Sequence, residues 1–213
     1  AQALCGQEGS VTVIGAVSPQ GSDFSEPVTQ NTKRFTCCFW ALDKALAYAR
    51  HYPAINWNTS YSEYLGDLSP WYYDNVGPDF MQCRERIAGL LLQETSLMEI
   101  VKLIGSDVLP DDQKLIIEIA RVIRVGFLQQ NFFHDQDTYV SLEKQLKMMR
   151  VILHLYEKSQ VLVAKQVPMS RVLRTGLFDK LVKMKYDIPN DHLELFDDYT
   201  AEIDQKIGEL MRP

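Results

Sequence analysis

The stretch "HYPAINW" at 51–57 sets a tyrosine directly before a proline. Proline fixes its own φ and pushes the preceding residue out of the helical region, so Tyr52 belongs to an extended turn, its ring direction set by the backbone. A second aromatic group, "GFLQQNFF" at 126–133, ends a helical pattern with Phe127, Phe132 and Phe133 around a polar Gln-Gln-Asn. Two readings fit these rings. They pack in a core, or they offer flat surfaces to a heterocycle, where stacking on one base is worth about 1–3 kcal/mol. Composition leaves both open. The remaining candidates are acidic: "GSDVLPDDQ" at 105–113 carries Asp107, Asp111 and Asp112 around an apolar Val-Leu, and "SDFSEP" at 22–27 carries Asp23, Ser25 and Glu26. Each reads as a capped, solvated turn or as a contact pad for a partner.

Other chemistry has no foothold in the residues. No glycine is followed by lysine, so the GxxxxGK[ST] phosphate loop is absent, as are a GxSxG elbow and an HExxH pair. The 4 histidines are scattered, which gives no metal site. Cys37 and Cys38 are adjacent while Cys5 and Cys83 stand alone, a pattern that fits neither a zinc spacing nor a secreted disulfide framework and points to a reducing compartment. With 22 basic against 28 acidic residues and a net charge of -6, the chain lacks a phosphate-tracking surface, so nucleic acid is not an expected partner. "AQALCGQEGS" does not read as a leader, and no stretch approaches the ~18 apolar residues of a membrane span. Membrane association is expected only through partner proteins.

The elements that must position these groups follow from periodicity. "GSVTVIGAVS" is β-branched and short and predicts a buried strand, which needs neighbours the chain does not supply. A helix is predicted over 29–48, with Phe35, Phe39, Leu42 and Leu46 on one face. The punctuated stretch 58–80 then works as a boundary. Beyond it, helices are predicted over 79–104, from Pro110 onward, and over 141–163, 169–186 and 190–211, the last two separated by "DIPND". The fold class is mainly α, with 1–65 ending an α/β unit and 66–213 forming a helical bundle.

Three long stretches, "GSVTVIGAVSPQGSDFSEPVTQNTKRF", "FWALDKALAYARHYPAINW" and "FLQQNFFHDQDTYVSLEKQ", resemble the catalytic A (alpha) subunit of V-type and A-type ATPases and ATP synthases. The resemblance runs over nearly the whole chain and implies the C-terminal portion of that subunit: the end of a RecA-like α/β nucleotide-binding domain, then a helical domain. It implies rotary coupling of ATP hydrolysis or synthesis to proton or sodium movement, with ATP or ADP and Mg bound in the complete enzyme. The family's phosphate loop, its water-polarising glutamate and its metal-binding segment lie upstream, and a B subunit supplies the arginine finger. No catalytic residue or metal ligand is therefore assigned here, no cofactor is required by this chain alone, and alone it should be inactive.

What the resemblance carries over is the adenine side. Tyr52 falls on the aromatic position of the family's HFPAINW segment and Phe133 on the last residue of FLQQNAF, both similar to the rings flanking adenine in the related F-type beta subunit. Phe132 stands where alanine is usual, and either narrows the pocket or buries a second ring. Asp107, Asp111 and Asp112 are similar in place to the acidic tip that meets the rotating shaft, and Asp23 and Glu26 to a loop that touches it; a hinge is implied near 57–78. Implied partners are B subunits, the central rotor stalk and the peripheral stalk, with the membrane reached only through the assembly, on its cytoplasmic face. The B subunit itself is a nearer rival, and a stand-alone helical interaction module without a nucleotide role is the rival of another class.

Overall fold

In the computed structural model, which describes residues 6, 8–19 and 23–212, the first helix begins where proline is tolerated. Helix α1 (Pro27–Phe35) has Pro27 at its start and stops at Thr36, whose φ of -108° and ψ of 122° are extended. Strand β1 (Cys38–Phe39) follows and pairs antiparallel with β2 (Tyr61–Ser62), Phe39 opposite Tyr61. Helix α2 (Lys44–Tyr48) is capped by Asp43, whose Oδ1 accepts from Ala45 N at 2.7 Å and Leu46 N at 3.4 Å.

The helix predicted over 29–48 is therefore broken into three elements. Long-range contacts outweigh the local spacing: the Phe39 ring sits 5.7 Å from Phe24 and 5.9 Å from Tyr61, and Tyr61 Oη donates to Lys33 O at 3.1 Å. Phe35 and Leu42, expected on a buried face, are exposed. The strand predicted in "GSVTVIGAVS" is also corrected. Residues 11–19 form no strand, and Val11, Val13 and Ile14 are exposed, because no neighbouring strand among the described residues pairs with them.

The boundary stretch contains a helix of its own, α3 (Leu65–Asn75), with Pro70 inside it. After it come α4 (Phe80–Ile104), α5 (Asp111–Arg121), a π-helical turn at Val122–Leu128, α6 (Asp135–Thr138) and α7 (Leu142–Ala164). Ser141 Oγ caps α7 by accepting from Lys144 N at 3.2 Å. The single helix predicted over 169–186 is split into α8 (Met169–Leu173) and α9 (Leu177–Asp187) by Gly176, whose φ of 74° a helix cannot accommodate. A 3-10 turn at Leu193–Leu195 leads into α10 (Phe196–Met211).

Helix α7 is the axis of the bundle, packed by α4, α5, α9 and α10. Its Ile152, Leu155 and Leu162 are fully buried in one core cluster with Ile119 of α5, Leu181 and Met184 of α9 and Ile203 of α10. Each such side chain contributes about 1.5–3 kcal/mol when removed from water, so this stripe holds the bundle together. Ion pairs at the rim, Arg150 with Asp79 and Lys158 with Asp204, contribute at most about 1 kcal/mol each. No helix among the described residues is long and apolar enough to cross a membrane.

The portion up to Ser62 has little core of its own. Among its described residues only Thr29, Ala41 and His51 are buried. It is joined to the bundle through Trp57, which packs against the core cluster, and through Asn58 Nδ2, which donates to Thr95 Oγ1 of α4 at 2.9 Å. The fold is thus mainly α: the end of an α/β unit with a two-stranded sheet, followed by a helical bundle.

Candidate functional site

Residues 51 and 52, at the bend before Pro53, differ in burial. His51 turns inward, buried, its ring 5.6 Å from Trp57. Tyr52 turns outward and is 54% exposed, and the Tyr52–Pro53 peptide is cis. Burial, aided by the charges of Arg124 and Lys185, holds the His51 imidazole below its ordinary value, so it is neutral at physiological pH.

The second aromatic segment arrives beside the first. Gln130 N donates to Tyr52 O at 2.7 Å, and Gln129 Nε2 donates to Arg50 O at 3.4 Å. The loop 129–133 leaves the π-helical turn, whose Gly126 lets it lie against α9: a Cβ there would stand 2.9 Å from Val182 Cα. Three further bonds shape it. Asn131 N donates to Asp137 Oδ2 at 2.6 Å, Phe133 N to Asn131 Oδ1 at 3.1 Å, and Thr138 Oγ1 to Phe132 O at 2.7 Å.

The rings at the end of this loop are not core. Phe133 is 91% exposed and Phe132 75%, their centroids 5.6 Å apart and edge-on, whereas Phe127 does pack against the core. Within this chain Phe132 is not buried. A hollow of about 320 Å³ lies nearby, lined by Trp57, Tyr72, Phe80, Phe127 and Met149 among others, but neither Tyr52 nor Phe133 lines it. The exposed rings therefore present open surfaces rather than the walls of an enclosed cavity. Among the described residues no group of three or more His, Cys, Asp or Glu side chains converges to hold a metal ion.

Behind the loop lie charges that sequence reasoning assigned to no site. Glu94 of α4 is 3% exposed, and its Oε1 sits 2.6 Å from Arg124 Nη1 of the π-helical turn, an ionic contact without the directionality of a hydrogen bond. Burial pushes the Glu94 carboxyl up, and Arg124 pulls it back. Lys185 and Asp137 are both buried and paired at 3.0 Å. Burial lowers the Lys185 ammonium, and Asp137 opposes that. Nothing in their local pattern marks them as interior, since each is an ordinary polar residue of a short or amphipathic helix.

The acidic candidates divide. Asp111 Oδ2 accepts from Met169 N at 3.0 Å, so this carboxylate helps start α8. Lys114 Nζ donates to Asp107 O at 3.1 Å. Asp107 and Asp112 are exposed beside exposed Leu103, Ile104 and Val108, while Leu109 is buried. Asp23 Oδ1 accepts from Ser25 N and Oγ, which holds its carboxyl below the usual range, and Glu26 Oε2 accepts from Thr29 Oγ1 at 3.2 Å.

Comparison with known proteins decides what this arrangement belongs to. Residues 69–173 match the family described as C-terminal domain of V and A type ATP synthase, and residues 1–62 match the ATP synthase alpha/beta family, nucleotide-binding domain. The V-type ATP synthase alpha chain of Halothermothrix orenii is 53% identical over 204 residues, 96% of this chain and 35% of that relative. The A subunit of the A-type ATP synthase of Methanopyrus kandleri is 48% identical over 204 residues, 95% of this chain and 34% of that relative. The chain belongs to the alpha (A) subunit family of V/A-type ATP synthases. It corresponds to the C-terminal part of those proteins and spans about a third of the length of these relatives. In this A-subunit region, Clostridium tetani V-type ATP synthase alpha chain 2 is similar at 56% identity over 186 residues, 87% of this chain and 31% of that relative.

Proposed function

We propose that this chain supplies the adenine side of a nucleotide site and a shaft-contacting helical domain in the catalytic subunit of a rotary V/A-type ATPase or ATP synthase. The observation that carries the reading is the Gln130 N to Tyr52 O bond of 2.7 Å, which sets two outward-facing aromatic segments side by side. Tyr52 and Phe133 stack on the adenine ring, and Phe132, exposed beside Phe133, narrows the entrance. Phosphate binding, water activation and Mg coordination belong to other parts of the enzyme, so this chain alone is inactive. The residues of this chain bind and orient the base.

In this reading B subunits alternate with the catalytic ones on the cytoplasmic face of the membrane, around a central rotor stalk and held by a peripheral stalk, and the assembly couples ATP chemistry to proton or sodium transport. The portion up to about residue 65 continues the nucleotide-binding domain, whose remainder covers the exposed Val11, Val13 and Ile14. The bundle swings about the stretch near 57–78, with α3 as a stiff strut within it. Asp107 and Asp112, with Asp111 behind them and the loop of Asp23 and Glu26 nearby in the assembly, meet the shaft.

Tyr52→Ala in the complete enzyme is expected to raise the ATP concentration for half-maximal rate by roughly five- to a hundredfold, the kinetic equivalent of losing one stacking surface. Steady-state ATPase measurements read it, and an unchanged half-saturation would remove Tyr52 from the site. Reversing Asp107 and Asp112 to lysine is expected to leave nucleotide affinity intact while ion transport per ATP falls. Transport assays in reconstituted vesicles check this, and unchanged coupling would leave the tip only its capping role.

A further inference from the structure

We propose that the buried Lys185–Asp137 pair is a positioning device that holds the loop 129–133, and with it Phe133, in the geometry that receives a purine base. This rests on the reading of Tyr52 and Phe133 as the adenine surfaces. Both side chains are 1% exposed, and Lys185 Nζ lies 3.0 Å from Asp137 Oδ2. The pair grips the loop on both sides of Gln130. Lys185 Nζ donates to Gln129 O, and Asp137 Oδ2 accepts from Asn131 N at 2.6 Å. Gln130 N between them donates to Tyr52 O. Three consecutive residues are thereby fixed to three separate anchors: α9, the Tyr52 turn and α6.

Stability alone does not call for ions here. A buried ion pair pays a desolvation penalty, and hydrophobic residues of similar volume hold a core at least as well. What the charges add is direction: an ammonium aimed at one carbonyl and a carboxylate at one amide, in a loop with no ladder of its own to satisfy those groups. The anchor on α9 is itself tied to the bundle axis, since Lys144 Nζ, fully buried on α7, donates to Lys185 O at 3.0 Å and Ile188 O at 2.7 Å. A movement of α7 and α9 as one unit therefore reaches the loop of Phe133 through Lys185 and the loop backbone, which makes the pair a mechanical link between the helical domain and the base.

The test uses the complete enzyme. Lys185→Met combined with Asp137→Leu removes both charges and keeps the interior filled, so it separates positioning from burial of an unpaired ion. The expected result is an assembled enzyme whose half-saturating ATP concentration rises roughly tenfold, with a smaller fall in maximal rate, and in which adding Phe133→Ala raises it no further. Wild-type half-saturation in the double variant overturns the inference while leaving the adenine reading in place. Wild-type half-saturation in Phe133→Ala alone overturns the adenine reading, and the positioning role with it. Amide hydrogen exchange on the unmodified, nucleotide-free complex gives a readout independent of any variant. Slow exchange at Gln130 and Asn131 is expected, and exchange at the rate of an open loop overturns the proposal.

Discussion

Arg124→Ala is expected to lower stability by about 3–5 kcal/mol at neutral pH, because it strands the Glu94 carboxylate in the interior. Glu94 is 3% exposed and, among the described residues, is paired with Arg124 at 2.6 Å. Burial already raises the carboxyl above its ordinary value, and removing Arg124 deletes the effect that opposes the rise. The sign of the pH dependence follows. A carboxyl whose folded pKa is raised binds more protons folded than unfolded, so stability falls as pH rises from the ordinary carboxylate value through the raised one. The variant should therefore recover part of its loss on acidification from pH 7 to about pH 5, and Glu94→Gln in the same chain should recover much of it at neutral pH. Urea unfolding of the unmodified protein, the two single variants and the double variant checks both statements. A loss under about 1 kcal/mol in Arg124→Ala, independent of pH, would mean that Glu94 finds another partner.

Gly126→Val is the second large effect. A Cβ at this position would lie 2.9 Å from Val182 Cα and 3.1 Å from Leu181 O, both backbone atoms of α9 that cannot rotate away. Overpacking typically costs about 1–3 kcal/mol, and the upper end applies where the obstacle is backbone. The π-helical turn must then lift from α9 and carry residues 129–133 with it, so the half-saturating nucleotide concentration rises together with the loss of stability. Gly89→Ala in α4 is the control. Nothing stands within 4 Å of its Cβ, and a gain of about 0.5–1 kcal/mol is expected from the better helix former. Thermal unfolding and ATPase kinetics on the two variants distinguish them. Equal melting temperatures would show that the close approach at Gly126 is not a constraint.

The contrast between these glycines shows which parts of the fold are legible in the sequence. Helices α4 and α7 were readable because their apolar spacing is local, and α7 has the Ser141 cap as well, whereas the helix predicted over 190–211 begins only at Phe196, behind a 3-10 turn. Thr36 and Cys38 were not, because the break in the predicted 29–48 helix is imposed by pairing with Tyr61 and Ser62. Val11, Val13 and Ile14 announced burial, but the surface that would bury them is not among the described residues. The same limit governs the site. Tyr52 and Phe133 are expected at the site from residue type and resemblance, whereas the meeting of their segments through the Gln130 N to Tyr52 O bond joins positions too far apart in sequence for any local pattern to show. Lys185, Asp137 and Glu94 carried no signal, since charged residues are buried only when tertiary partners exist.

The central claim is that Tyr52 and Phe133 face the adenine ring, and photolabelling addresses it most directly. The complete complex would be irradiated with an azido-adenine nucleotide, digested, and the labelled peptides sequenced by mass spectrometry. The account predicts label on the peptide containing Tyr52 or on the one containing residues 129–133, lost when unmodified ATP competes. Competable label confined to other peptides would contradict it and leave this region of the enzyme without contact to the base.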